Sequence, residues 1–249
     1  MNSTVDITIP VYNEQDALPE SIRRLHRFLE ENLKNPWRIT IADNASTDAT
    51  RSISQLLSQD YSRVSYLYVP NKGRGRALRA AWMDSTADFV GYMDVDLSTD
   101  LRHFPQLIAE LESGYHIAIG SRLSRASQVT RGLKREIISR SYNLLIKGMF
   151  FTSFPDAQCG FKALHRRTAA ALVPSILNNN WFFDTELLIL AAKRGYRIKS
   201  VPVKWEDDPN SSVNVASTAT EDIKGLFRLR FGGIPKIPGP PGPIDSGQL

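Results

Sequence analysis

Leu18, Ile22, Leu25, Leu29 and Leu33 recur at intervals of three and four residues, so the segment from Asp16 to Leu33 predicts an amphipathic helix with one apolar stripe. Around it, short apolar runs bounded by polar clusters predict strands over Asp6 to Val11, Arg38 to Asp43, Val64 to Val69, Phe89 to Asp94 and His116 to Gly120. Thr47 to Gln59, Arg74 to Thr86 and Leu101 to Glu112 read as the intervening helices. Four βα units in succession predict an α/β fold: a doubly wound, mostly parallel sheet flanked by helices.

The second half is less regular. It predicts a basic helix from Lys134 to about Phe150, a strand near Gly160 to Leu164, a helix from Asp184 to Arg194, a strand from Arg197 to Trp205 and a last helix from Thr220 to Phe231. From Gly232 the chain is too rich in Pro and Gly to pack as a helix. One domain over residues 1–231, followed by a disordered or extended tail or truncated linker over 232–249, is expected.

Ligands of doubly wound sheets bind beyond the carboxyl ends of the strands. Those ends are chemically loaded: Tyr12-Asn13-Glu14 after the first, Asp43-Asn44 after the second, Asn71-Lys72-Gly73-Arg74-Gly75 after the third and Asp94-Val95-Asp96 after the fourth. All four sets are expected to face one cleft. Asp94 and Asp96 suit a hard divalent cation, Mg²⁺ or Mn²⁺, which prefers oxygen ligands and shares its shell with substrate phosphates and water. Ser98 can add a hydroxyl ligand; the competing reading is that Ser98 to Asp100 only cap the following helix. A dinucleotide-binding Rossmann domain needs Gly-x-Gly-x-x-Gly after the first strand, whereas Pro10-Val11-Tyr12-Asn13-Glu14 contains no glycine. Gly73 and Gly75 instead suggest close passage of a loop past a ligand or another strand.

Composition narrows the picture. In 249 residues, 42% hydrophobic and 23% charged, the profile is that of a folded globular protein. Cys159 is the single cysteine, which excludes an intrachain disulfide and favours a cytosolic setting. No signal peptide is visible at the first residues, and no apolar run reaches membrane-spanning length, so any membrane contact is expected to be peripheral. Between Arg122 and Lys147, seven basic residues stand against a single acid, Glu136, which points to a local anionic partner such as phosphate or lipid headgroups rather than to nucleic acid.

The ordered segments Ile9-Pro10-Val11-Tyr12-Asn13-Glu14, Ala42 to Asp48, Asn71 to Gly75 and Met93-Asp94-Val95-Asp96 resemble the motifs of family 2 inverting glycosyltransferases with a GT-A fold. Ile119 to Arg122, Lys134 to Arg140, Asp156 to Lys162 and Phe183 to Leu188 narrow the resemblance to dolichyl-phosphate and polyprenyl-phosphate sugar synthases. That resemblance implies a nucleotide-sugar half over about residues 1–120 and an acceptor half over about 121–231. It implies that Pro10, Tyr12, Glu14 and Asp43 hold the nucleoside, with Lys72 and Val95 completing the donor-binding set. Asp94, Asp96 and Ser98 would lie at the diphosphate and its metal, with Ser98 standing where many relatives carry Gln. Arg122, Arg135 and Ser139 match residues used around the acceptor phosphate. Trp205 to Val213 resembles the loop that closes over the donor, and its likeness to the glucosyl relatives favours UDP-glucose over GDP-mannose.

A metal on the diphosphate and arginines on the acceptor phosphate fit such a reaction, because charge develops on the leaving group while the acceptor oxygens are already ionised. Asp96, Arg122, Arg135, Ser139 and Asp184 are the residues expected to act in catalysis. Asp184 follows the aromatic run Trp181-Phe182-Phe183, which reads either as a sugar-binding wall beside a catalytic carboxylate or as core beside a helix N-cap. Glu186, two positions on, does not share its helix face. Ile137, Ile138, Tyr142, Leu145, Ile146, Met149 and Phe150 form an apolar stripe through the basic helix, fit for core contact or for lying on the cytoplasmic face of a membrane. Two rivals stand beside a polyprenyl-phosphate sugar synthase: a family 2 transferase with a soluble or polysaccharide acceptor, which needs a carboxylate base such as Asp184, and a non-catalytic basic binding module, which the acidic strand ends oppose.

Overall fold

Seven consecutive buried residues, Val5–Val11, form a strand covered on both faces, as the centre of a parallel sheet requires. In the computed structural model, which describes residues 2–206 and 215–240, this strand is β1. It is followed by α1 (Leu18–Asn32), β2 (Trp37–Asn44), α2 (Thr50–Asp60), β3 (Val64–Val69), α3 (Arg74–Asp84) and β4 (Phe89–Met93). A 3₁₀ turn, Leu101–His103, leads into α4 (Phe104–Glu112) and β5 (Ile117–Ser121). The chain continues through β6 (Gln128–Thr130), α5 (Leu133–Phe150), β7 (Phe161–His165), α6 (Arg166–Leu172), α7 (Phe182–Lys193), β8 (Ile198–Pro202), β9 (Lys204–Glu206) and α8 (Val215–Gly232).

The main sheet has the order β3-β2-β1-β4-β7-β5-β8. It is parallel apart from β7, which runs antiparallel to both neighbours. Sequence alternation alone would set β5 beside β4, but β7 takes that place. Gly91 in β4 makes room for it, since a Cβ there would lie 2.9 Å from the Lys162 carbonyl oxygen. Two buried clusters sandwich the sheet: one carries the α1 stripe with Phe104, Leu107 and Leu111 of α4, the other carries α7 with Leu78, Trp82 and Ile146.

The elements missed by periodicity are short. β6 and β9 are three-residue strands of a separate small sheet, and α6 has only seven residues. The expected strand from Arg197 to Trp205 divides at Val203. Pro202 lacks the N–H of a continuing ladder, and Val203 instead donates to Ser121 and accepts from Gln128 of β6. Residues 233–240 carry no regular structure, yet Ile237 is buried and the Tyr196 hydroxyl donates to the Pro238 carbonyl at 3.2 Å, so this stretch of the tail is extended and docked. The expected donor-closing loop lies, from residue 207 on, outside the described residues, as do the last residues of the tail.

Candidate active site

β1 pairs with β4 only from Val5 to Thr8, while its ladder with β2 continues to Val11. Pro10 is therefore tolerated in a central strand, because the neighbour that would need its N–H has already ended. β1 also lies where the strand order reverses, between β2 and β4, which is the position at which ligands enter a doubly wound sheet.

Side chains knit the loops at this edge together. Asn44 donates to the Val11 carbonyl at 2.6 Å and accepts from Gly73 N–H at 2.9 Å, tying the loops after β1, β2 and β3. Asn13, in the left-handed region at φ 56°, accepts from Thr47 N–H at 2.8 Å. Asp43 is buried, accepting from Ser46 N–H at 2.9 Å and from the Tyr66 hydroxyl at 3.2 Å. Burial, and then the Asp43 charge, push the Tyr66 phenol up to about 12. The Lys72 ammonium stands 3.7 Å from the centre of the Tyr12 ring. Glu14 donates its N–H to Thr50 at 2.8 Å. The structure thus gathers Pro10, Tyr12, Glu14, Asp43 and Lys72 at one end of the parallel strands.

The fourth loop joins them through a buried charge network. Arg74, the first residue of α3, donates from Nε at 3.2 Å and Nη2 at 2.7 Å to one Asp94 oxygen, and from Nη1 at 2.5 Å to Asp184. Its guanidinium also lies against the rings of Tyr92 and Trp181. Lys162, wholly buried in β7, stands 3.0 Å from Asp184 Oδ1, and the Tyr92 hydroxyl donates to that same oxygen at 2.5 Å. Burial opposes ionisation of Asp184, but Lys162 and Arg74 hold its pKa below the ordinary value. Burial likewise opposes the charge on Arg74, which Asp94 and then Tyr92 and Asp184 hold well above its usual pKa. Asp184 is the third residue of α7 and makes no capping hydrogen bond, so the N-cap reading is corrected. Phe182 and Phe183 are core, leaving Trp181 as the one exposed member of the expected aromatic wall. Glu186 accepts from the N–H groups of Leu177 and Asn178 and pairs with Arg228 at 2.8 Å, a latch remote in role from the network.

Asp94, Asp96, Ser98, Gly160 and Trp205 line one small pocket. Leu97 N–H donates to the Asp94 carbonyl at 3.1 Å, and the resulting tight turn buries Val95 while exposing Asp96. Val95 thus serves the core from between the two carboxylates. Gly160 is required beside them, since a Cβ would fall 1.6 Å from an Asp94 carboxylate oxygen. Asp100 caps the 3₁₀ turn by accepting from Arg102 N–H at 3.0 Å, whereas Ser98 N–H bonds Asp96 at 3.0 Å; the capping role belongs to Asp100 and not to Ser98. Among the described residues no group of three or more His, Cys, Asp or Glu side chains is suited to hold a metal ion. A donor set of two carboxylates and a hydroxyl fits a cation that takes the rest of its shell from phosphate and water. The close approaches of Gly73 and Gly75 within the protein are to Asn179 and to the Phe183 side chain of α7, not to a strand.

After β5, Arg122 closes a two-point ion pair with buried Asp156, from Nε at 2.9 Å and Nη2 at 3.0 Å. Burial opposes the Asp156 charge, but Arg122 holds its pKa down at about 2. Ser139, on α5, accepts from Arg131 Nη1 at 3.2 Å, and Arg131 and Arg140 grip Glu136 between them. Arg135 lies half-buried one turn before Ser139. The expected stripe along α5 divides. Ile146 and Phe150 are buried and Tyr142 and Met149 pack on the core, while Leu133, Ile137, Ile138, Leu144 and Leu145 are exposed. No helix among the described residues is long and apolar enough to cross a membrane.

Sequence reasoning gave no role to Arg74, Tyr92, Lys162, Asp156 or Arg131. A lysine and a tyrosine inside otherwise apolar strand runs were the available signals, since a buried charge must be paired.

A doubly wound sheet with Asp94 and Asp96 in one pocket near its carboxyl edge, and Asp184 joined to Asp94 through Arg74, points to the class: a GT-A nucleotide-sugar transferase fold. The model described as Glycosyl transferase family 2 matches residues 6–172, and the chain belongs to that family. It is 33% identical over 225 residues to the glycosyltransferase AglD of Haloferax volcanii, covering 89% of this chain and 35% of that one. It is 28% identical over 244 residues to a dolichyl-phosphate beta-glucosyltransferase of Dictyostelium discoideum, covering 92% of this chain and 75% of the other. In fold it is similar to glucosyl-3-phosphoglycerate synthase of Mycobacterium tuberculosis in complex with Mn²⁺, UDP and phosphoglyceric acid, with a TM-score of 0.69, 19% identity and 94% and 80% of the two chains covered.

Proposed function

We propose that residues 1–231 act as one metal-dependent, inverting hexosyltransferase domain that moves glucose from UDP-glucose onto a dolichyl or polyprenyl phosphate at the cytoplasmic face of a membrane. The observation that carries the acceptor is on α5 and the residues just before it. Ser139 and Arg131, joined at 3.2 Å, share that segment with Arg135 and with Leu133, Ile137 and Leu144, which form one exposed apolar stripe. A phosphate with a long hydrocarbon tail has the chemistry to engage both parts, and an apolar face flanked by basic residues suits an interfacial helix. Supporting the sugar and nucleotide are the relatives named as dolichyl-phosphate beta-glucosyltransferases and fold neighbours crystallised with UDP-glucose and Mn²⁺.

Asp94 and Asp96, with Ser98 beside them, would hold Mg²⁺ or Mn²⁺. Such an ion supplies electrostatic stabilisation of the negative charge that develops on the leaving diphosphate. Arg122 uses two of its five N–H groups on Asp156, leaving the rest to orient an acceptor phosphate. No general base is required, because a phosphate monoester with a second pKa of about 6 is already largely ionised near neutral pH. Asp184 fits that economy: its oxygens are engaged by Tyr92, Lys162 and Arg74, so it anchors charge rather than accepting a proton. Displacement is in line, in a single step, with inversion at the anomeric carbon.

The test is a panel of labelled UDP- and GDP-sugars with a polyprenyl phosphate in vesicles and Mn²⁺, followed by lipid extraction. Label should enter the lipid phase from UDP-glucose. Arg135→Ala should reduce that transfer while Mn²⁺-dependent UDP binding persists, and Asp96→Ala should lose the UDP binding. Transfer only to a water-soluble acceptor overturns the assignment.

A further inference from the structure

A cation at the first position of a helix works against the helix dipole, whose amino end favours anions. Arg74 occupies such a position on α3, with its side chain only 10% exposed, so its charge is sustained by the carboxylates it touches. Those two carboxylates differ. Asp184 keeps two other partners, Lys162 at 3.0 Å and the Tyr92 hydroxyl at 2.5 Å, so it stays compensated if Arg74 moves. Asp94 is 38% exposed and reaches Arg74 from the edge of the pocket that holds Asp96. The guanidinium is therefore anchored at one end and releasable at the other.

We propose that Arg74 holds the place of the cation at Asp94 until the donor arrives, then pivots on Asp184 and passes its free edge to the donor's diphosphate. The inference rests on the reading that Asp94 is a metal ligand. The exchange leaves each charge with a partner: Asp94 trades a guanidinium for a divalent ion, and Arg74 trades a carboxylate for phosphate oxygens, which suit the guanidinium's planar donors. Metal and nucleotide then bind cooperatively, since each removes the obstacle to the other. Free metal alone must compete with a charge-assisted hydrogen-bonded pair, a penalty of about tenfold or more in affinity.

The experiment is titration of free Mn²⁺, followed by its electron paramagnetic resonance signal, against the wild type, Arg74→Lys and Arg74→Met, each with and without UDP. Without UDP, both variants should bind Mn²⁺ about tenfold more tightly than the wild type. With UDP that advantage should vanish, because the diphosphate has lost its arginine. Wild-type affinity for Mn²⁺ should itself rise at least about tenfold on adding UDP. Variants that bind Mn²⁺ no more tightly than the wild type without UDP overturn the proposal, as does a wild type indifferent to UDP. Should Arg74→Met fail to fold by circular dichroism, Arg74→Lys carries the reading, because one ammonium cannot span both carboxylates. Asp94→Asn separates the two levels of inference. If it binds Mn²⁺ and UDP as the wild type does, the metal reading itself is wrong; if it loses Mn²⁺-dependent UDP binding while the Arg74 variants show no gain, only the role of Arg74 is wrong.

Discussion

The proposed donor side and the proposed acceptor side each bury an arginine against carboxylates, and they do so in opposite ways. Arg122 meets one carboxylate, Asp156, through two parallel hydrogen bonds and a third from its own backbone N–H, so that the Asp156 charge is answered by a single arginine. Arg74 is shared between carboxylates from two distant parts of the chain, one at the end of β4 and one on α7. A closed pair fixes geometry, whereas a shared ion has an alternative partner already in place. The contrast separates bracing from exchange, and each side should fail in its own way when altered.

The largest effect is expected on the bracing side. Arg122→Ala leaves the Asp156 charge buried without its partner, which costs about 3–5 kcal/mol. Thermal denaturation should show a loss of roughly 10 °C for a chain of this size. Because the folded pKa of Asp156 is depressed to about 2, its contribution is complete above the ordinary carboxylate value of about 4 and is lost as pH falls toward 2. Asp156→Asn should therefore erase that part of the acid dependence; an unchanged acid limb in Asp156→Asn, or an unchanged melting point in Arg122→Ala, would refute the closed-pair description.

On the donor side the corresponding lesion should spare stability and strike turnover. Gly160→Ala puts a methyl group where the Asp94 carboxylate lies, and displacement of a site group by about 1 Å costs about a hundredfold in rate. Transfer assays beside a melting curve distinguish this from general damage, and a wild-type rate would mean that Asp94 is not needed where it stands.

A smaller effect belongs to Asp222 of α8, which is buried and accepts from Gln158 at 2.8 Å beside Tyr142. Burial pushes this carboxyl up to about 7. With the folded pKa raised, the folded state binds the extra proton, so stability falls as pH rises from about 4 to about 7 and then levels off. Asp222→Asn should gain a few degrees over the wild type across that interval and hold the gain above it. A gain of the same size at pH 3 as at pH 8 would show that the effect is not ionisation.

The two sides also differed in how far they could be read from sequence. Donor-side strands were legible because alternation between apolar runs and an apolar helical stripe such as Leu18 to Leu29 is dictated by local periodicity. The place of Asp94 and Asp96 at a strand end was legible from the apolar run Phe89–Met93 that precedes them. The position of β7 was not, since which strand fills a gap depends on a close approach at Gly91 that no local pattern announces. Asp184 was open between cap and site, and only tertiary contact with Arg74 and Lys162 decides its surroundings. The basic helix α5 showed its charge and its apolar residues in sequence, but which of them the core would claim depended on α7, against which Tyr142 is held by a 3.0 Å bond to Thr185.

The antiparallel strand β7 has a consequence for the order in which the protein comes into being. The units from β1 to β4 can pair as the ribosome releases them, but the far edge of β4 waits for residues as distant as His165, and contacts so remote in sequence close slowly. Until then Gly160 and Lys162 are missing from beside Asp94 and Tyr92, and Arg74 awaits Asp184 from later still in synthesis. The nascent chain therefore displays the β1 to β4 sheet well before the Arg74, Asp94, Lys162 and Asp184 network is complete.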